Sequence, residues 1–268
     1  MLYIQTCARA ANGVDGLAQI DHDRLFKELL ESFFAEFLAL FFPEAHAAVD
    51  LTHLKFLQQE IFADITAGEK HVVDLLAETK LRGEDGLILI HVENQAQVQP
   101  DFAERMFVYF SKLYQKFHRR ILPIAVFGYD EIREEPDFFQ LNFPFFDVMQ
   151  FKFYKLELKQ HNWRDYIQSD NPVAAALLGK MGCRPAEKVR VKIEFLRMLT
   201  RMRLDPARLV LLAGFFETYL KLDRAEEAQF LSELGILTTE LNPLPAYSLL
   251  SSPSPSQKIG VAGVSFLS

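Results

Sequence analysis

HVVDLLAETKLRGEDGLILIHVENQ, residues 71–95, reads as two apolar strands at about 72–79 and 86–93, joined by a charged turn near Arg82 to Asp85. The first strand carries an acid, Asp74, among Val72, Val73, Leu75 and Leu76, and the second runs into Glu93-Asn94-Gln95. A charge inside an apolar strand costs several kcal/mol unless it is paired or holds a metal. Side chains alternate across a strand, so Glu93 and Gln95 share a face with His91, and Asn94 takes the other. If the two strands pair through the turn, Asp74 and Glu93 converge on one ion. Hard oxygen ligands favour Mg²⁺ or Mn²⁺ over zinc, and such an ion activates water and stabilises charge on a phosphoryl group. A second reading fits the same residues: Asp74 faces solvent on an edge strand and Glu93 caps the strand end.

Outward from this stretch the periodicity alternates between helix and strand. Asp21 and Asp23 suit helix caps ahead of Phe26, Leu29, Leu30, Phe33, Phe37, Leu40 and Phe41, a helical stripe that Pro43 is expected to stop. LKFLQQEIFADI, residues 54–65, holds a first strand or a short helix. Gln99-Pro100-Asp101 opens a helix over 102–118 with Phe102, Met106, Tyr109, Leu113 and Phe117 on one face. ILPIAVF, residues 121–127, reads as a buried strand of a mixed sheet, and FFDVMQFKFYKLEL, residues 145–158, as one more strand. From Asn162 the pattern is helical: Trp163 to Ile167, Pro172 to Met181, Ala186 to Met202, Pro206 to Leu222 and Ala225 to Leu234. That order predicts an α/β core followed by a helical extension. The expected divisions are an irregular lead-in over 1–20, a core over 21–160, the helical extension over 161–235 and a flexible Pro/Ser-rich tail over 236–268.

Composition bounds the function classes. The chain has 268 residues, half of them hydrophobic and 25 of them Phe, enough for a sizeable core. A net charge of -7 argues against coating nucleic acid by bulk charge while leaving room for a local basic face. Two cysteines, Cys7 and Cys183, give neither a zinc pattern nor a disulfide framework. The longest uncharged apolar run in the body, Leu209 to Phe216, is too short to span a bilayer, and the N-terminus makes a poor signal peptide. The expected setting is cytoplasmic, with no membrane partner.

Basic residues cluster despite the acidic total. Arg105, Lys112, Lys116, Arg119 and Arg120 load the helix after the motif, and Arg184, Lys188, Arg190, Lys192, Arg197, Arg201, Arg203 and Arg208 load the segment near 190. Either set fits a phosphate-backbone footprint, and either fits an ordinary solvated helix face. Glu60 and Asp64 precede the motif and could complete an ion's shell or place a water, or simply be solvated. Asp23 reads as a helix cap and Lys27 as a solvated helix residue. His91 reads as a proton carrier or as a satisfied sheet histidine.

The segments DRLFKELL, FFAEFLALFFPE, VDLLAE, LIHVENQAQ, FAERMFVYF, LPIAVFGYD, NWRDYI, NPVAAAL and RLDPARL together resemble the recombination-promoting nuclease (Rpn) family, also labelled YhgA-like transposases, over about residues 21–235. The resemblance implies the PD-(D/E)XK nuclease superfamily: a restriction-endonuclease-like αβββαβ core with a mixed sheet. By the same resemblance Asp74 is the motif aspartate and Glu93 the motif acid. They hold Mg²⁺ or Mn²⁺, with Glu60 as a further candidate ligand, and Gln95 stands where most members of the superfamily have Lys. The Rpn-like branch commonly shows Gln there; a neutral amide orients water or hydrogen-bonds phosphate but supplies no cation. The implied activity is metal-dependent DNA endonuclease cleavage linked to recombination or mobile elements, with Asp74, Glu93 and Gln95 catalytic. DNA is then the partner, contacted by Arg105, Lys112, Lys188, Arg190, Lys192, Arg197 and Arg201, and a homodimer would suit two cuts. The alternative is a DNA-binding or assembly protein that keeps the fold and cleaves little. A phosphoesterase for small nucleotides is disfavoured because no glycine-rich phosphate loop is present.

Overall fold

In the computed structural model, residues 22–57, 75–84, 87–95 and 101–237 are described. The Phe-rich opening folds into three helices instead of one: α1 (His22–Ser32), α2 (Phe34–Phe41) and α3 (Pro43–Ala48). The break falls at Phe33, whose φ of -138° and ψ of 38° leave helical space while its ring stays fully buried. Pro43 does not stop the helical region. Its fixed φ suits the first position of a helix, and it starts α3. β1 (Val49–Phe56) begins earlier than the sequence suggested, and residues 58–65 lie outside the described residues.

The apolar stretch does form two strands. β2 (Leu75–Leu81) and β3 (Leu87–Gln95) pair antiparallel from Leu75↔Val92 to Lys80↔Leu87, and β1 pairs antiparallel with β2. Gly83 follows β2 with a φ of +75°, a conformation that glycine adopts without cost. α4 (Phe102–Phe117) then crosses the sheet, burying Phe102, Met106, Tyr109 and Leu113 as its spacing requires. It ends at His118 in the left-handed region. The crossover lets β4 (Arg120–Phe127) lie parallel to β3, pairing Ile88↔Arg120 through Gln95↔Phe127.

Residues 145–158 are not one strand. β5 (Phe138–Phe143) and β6 (Phe146–Lys152) form a separate hairpin, and β7 (Tyr154–Glu157) leaves it to pair parallel with β4. The larger sheet therefore runs β1-β2-β3-β4-β7, with mixed strand directions, so the α/β reading holds. Four helices follow: α5 (Pro172–Leu177), α6 (Lys188–Arg201), α7 (Pro206–Tyr219) and α8 (Arg224–Leu237). Trp163–Asp165 is a single 3₁₀ turn rather than a helix, and residues 238–268 lie outside the described residues.

The pleat of β3 sets the layers. Ile88, Ile90 and Val92 join a core shared with α1, α2, α5, α6 and α7, whereas Leu89 turns the other way, onto Tyr109 and Leu113 of α4. Trp163, Phe195, Phe216 and Leu234 belong to the same core as Ile90, so the C-terminal helices and the sheet bury one another. The Phe195 and Phe216 rings stack with centroids 3.9 Å apart. A strand covered on both faces is apolar at nearly every position. That makes the polar residues at the end of β3 conspicuous.

Candidate functional site

His91, Glu93 and Gln95 alternate along the α4-facing side of β3, as the two-residue strand repeat requires. All three are buried, at 0%, 4% and 5% exposure. His91 Nε2 lies 2.6 Å from Glu93 Oε1. A carboxylate only accepts, so the imidazole donates through Nε2–H and fixes the carboxylate's orientation. Burial pushes His91 down to about 3, which keeps it neutral in ordinary buffers. The ring also meets Tyr109 of α4 edge-on, with centroids 6.2 Å apart.

Gln95 is held from the first turn of α4. Arg105 Nη2 donates to Gln95 Oε1 at 2.5 Å, and the guanidinium lies 5.2 Å from the centroid of the Phe102 ring. With its carbonyl facing Arg105, Gln95 turns its amide N–H groups toward a ligand. Register sets small Ala125 beside Glu93 and Phe127 beside Gln95 on β4. Next to them, burial and then the charge of Glu135 raise the Tyr129 hydroxyl pKa, with Arg105 and Arg133 offsetting part of that rise. The arrangement unites an acid, a neutral donor, an amide and a guanidinium at one strand end. That set can hold a hard cation on the acid and an anion on the amide and guanidinium.

The other sequence-derived candidates fall in several places. Asp74, Glu60 and Asp64 lie outside the described residues. The described β2–β3 register stops at Leu75↔Val92, one residue short of Asp74 and Glu93. Among the described residues, no three His, Cys, Asp or Glu side chains form a metal-binding group. Asp23 sits in the first turn of α1, and Lys27 is 3.9 Å from Glu31. Lys112 is half-buried on α4.

The α6 basic residues are largely committed within the chain. Lys192 is 2% exposed, 2.9 Å from Glu217, 3.6 Å from Glu227 and over the Phe230 ring. It is a packed ion pair that anchors α6 to α7 and α8, not a face offered to DNA. Lys188 lies 3.6 Å from Glu226, and Arg197 is 2.7 Å from Glu194. Arg201 donates to the Ile167 carbonyl at 2.6 Å and lies 3.2 Å from Asp170. Arg190 is exposed, with its guanidinium 6.0 Å from the Trp163 ring. These residues project from a helix on the opposite side of the sheet from α4. The structure therefore brings Arg105, but not the α6 set, to Glu93 and Gln95. The sequence placed Arg105 on the right helix and missed its partner, since a strand-to-helix contact across a connection has no periodic signature.

Residues 20–127 match the family described as "Putative transposase, YhgA-like". The match begins two residues before α1 and ends at the last residue of β4, and so takes in His91, Glu93, Gln95 and Arg105. No curated protein and no solved structure gives a match. No helix among the described residues is long and apolar enough to cross a membrane.

Proposed function

From the match of residues 20–127 to the family of YhgA-like putative transposases, we propose that the chain is a metal-dependent DNA endonuclease serving recombination or mobile elements. The observation that carries the reading is the buried Glu93, oriented by a neutral His91 and set beside the Gln95–Arg105 pair. An ordinary sheet seldom buries this much polarity at one point without a use for it. The chain order supports a PD-(D/E)XK type of core: helices, an antiparallel β1–β2–β3 unit, a crossover helix and a parallel β4.

In this reading Asp74 joins Glu93. Directly paired strand residues share a face, and the reading requires that Asp74, the residue before the described start of β2, share the face of Glu93. Their hard carboxylate oxygens suit Mg²⁺ or Mn²⁺, and Glu60 is the remaining candidate ligand. When bound, such an ion supplies charge neutralisation at phosphoryl oxygens and a more acidic water. The chain's own residues do the rest. His91 keeps the Glu93 carboxylate oriented, and Gln95 offers amide N–H groups to a phosphate oxygen. Arg105 brings a permanent positive charge close to the position that carries Lys in most of the superfamily.

One observation favours a second reading, a DNA-binding or assembly protein that cleaves little. The residue at the lysine position is an amide, and its carbonyl is already engaged by Arg105. A plasmid assay separates the two. Supercoiled DNA with Mg²⁺ or Mn²⁺ should be nicked by the parent and about 100-fold more slowly by Asp74→Ala and Glu93→Ala, the loss of several kcal/mol expected for a metal ligand. Nicking that persists unchanged in both variants overturns the site. DNA binding without cleavage under either ion selects the second reading.

A further inference from the structure

Asn94 points away from Glu93 and Gln95, into a cleft of about 840 Å³ on the other side of β3. The cleft lies at the carboxyl ends of parallel β3 and β4, between Gly128, Lys180 and Tyr219. Open α/β sheets bind ligands in the crevice beyond their strand ends. Four lysines line it, Lys159, Lys180, Lys188 and Lys221, against a single lining carboxylate, Asp130; Lys188 is also 3.6 Å from Glu226 outside the lining, which leaves Lys159, Lys180 and Lys221 as the local excess. That local excess is the reverse of the chain's net charge of -7.

The backbone forces the lysines together. A Cβ on Gly182 would sit 2.6 Å from the Lys159 carbonyl oxygen, so only glycine lets the segment after Lys180 press against Lys159. At the end of β4 a Cβ on Gly128 would lie 3.3 Å from Lys180 Cε, so the glycine leaves that side chain room beside the strand end. The Lys180 side chain is 8% exposed, and its ammonium is 3.3 Å from Asp130 Oδ1 and 4.7 Å from the centroid of the Tyr219 ring. Asp130 is itself 94% exposed, so water screens the one acid facing this cation. Burial lowers the Lys180 pKa, Asp130 opposes that shift, and Lys159 deepens it. Across the mouth, His22 Nδ1 and the Tyr219 hydroxyl meet at 3.0 Å, tying α1 to α7. Like charges gathered in a half-enclosed cleft focus a positive potential that a small multivalent anion would neutralise.

We propose that this cleft is a phosphate-binding site, for the phosphate of a free nucleotide or of a nucleic-acid strand, with Lys180 and Lys159 as its principal donors. It stands on the opposite face of β3 from Glu93 and is independent of the nuclease reading, because binding can be measured without cleavage. Thermal shift and calorimetry at low salt, without divalent cations, provide the test. The probes are pyrophosphate, dAMP and a short single-stranded oligodeoxynucleotide. At least one should bind the parent and raise its Tm by mass action. Lys180→Met combined with Lys159→Gln should weaken that binding about tenfold or more, and Asp130→Asn should strengthen it. Methionine replaces the aliphatic stem of Lys180 up to Cε and removes a desolvated charge, so the fold should persist. If that variant fails to fold, Lys159→Gln and Asp130→Asn alone carry the test. Glu93→Ala should bind as the parent does, which separates failure of this site from failure of the nuclease site. Binding only of the small probes assigns the phosphate to a free nucleotide, and binding only of the oligonucleotide assigns it to a strand. The proposal is overturned if no probe binds the parent at millimolar concentration, or if affinity is unchanged by the lysine substitutions.

Discussion

At the scale of single residues, Arg105 is the side chain whose importance the structure changes most. On its helix it resembles any other half-exposed arginine, yet its guanidinium closes on Gln95 Oε1 and settles which end of that amide faces outward. Arg105→Ala should therefore slow DNA nicking about 10- to 100-fold, the usual effect of losing a residue that orients a ligand-contacting group. Stability should change little, because the guanidinium is only partly buried. Arg105→Lys should recover only part of the rate, since a point charge on a flexible stem does not reproduce the planar fork. Parallel nicking rates and melting curves check this, and a parent-like rate in Arg105→Ala would refute it. Strand alternation alone made His91, Glu93 and Gln95 legible as one face. Arg105 as their neighbour was not legible, because the α4 crossover that delivers it is a property of the fold. The lysines of the cleft were hidden for the same reason: Lys159 and Lys180 belong to different segments and meet only where Gly182 allows contact.

Among elements, those with simple periodicity were readable and those with a change of partner were not. α4, β3 and β4 fall close to their expected bounds because each carries one unbroken pattern. FFDVMQFKFYKLEL keeps alternating through Phe153 while the chain changes sheets, so its hydrophobic pattern holds no trace of the switch. The opening helix failed differently. Phe33 is as apolar as its neighbours, and only the need to pack both α1 and α2 bends the backbone there. α5 shows how the helical layer is pinned. Asn171 caps it by accepting from Val173 N at 2.9 Å and Ala174 N at 3.3 Å, while its own amide donates to the Glu36 carbonyl at 2.8 Å. Asn171→Ala removes the cap and leaves the α2 carbonyl without that donor, so it should cost about 2 kcal/mol. Asn171→Asp keeps the cap alone and should recover about half of the loss. Urea unfolding at neutral pH measures both, and a midpoint unchanged in Asn171→Ala would show that α5 does not depend on this residue.

For the whole molecule, one core joins the sheet to the C-terminal helices, and local titration therefore becomes global stability. His91 is fully buried in the central strand of that sheet, on the face covered by α4. Burial pushes its pKa down to about 3, against an ordinary 6.5 in the unfolded chain. The Glu93 carboxylate at 2.6 Å pulls the other way, but both groups are nearly cut off from water, and the cost of desolvating two charges exceeds their attraction. Between these values the unfolded state binds one proton that the folded state refuses. Unfolding free energy should thus fall as pH drops below 6.5, by about 1.4 kcal/mol per pH unit from this residue. Glu187, held down to about 2 by the Arg164 side chain first and the Arg184 backbone N–H next, adds its own loss only below its ordinary 4.5. Burial lowers the pKa of His161 as well, so between pH 6 and pH 5 the share of His91 is read from the difference between variant and parent. His91→Gln keeps a hydrogen-bond donor for Glu93 and removes the titration. Its stability should decline less steeply than the parent's over that interval, by about one proton's worth. Equal slopes in urea unfolding at pH 6 and pH 5 would show that the folded protein accepts a proton at His91, and would remove the fixed neutral donor on which the orientation of Glu93 depends.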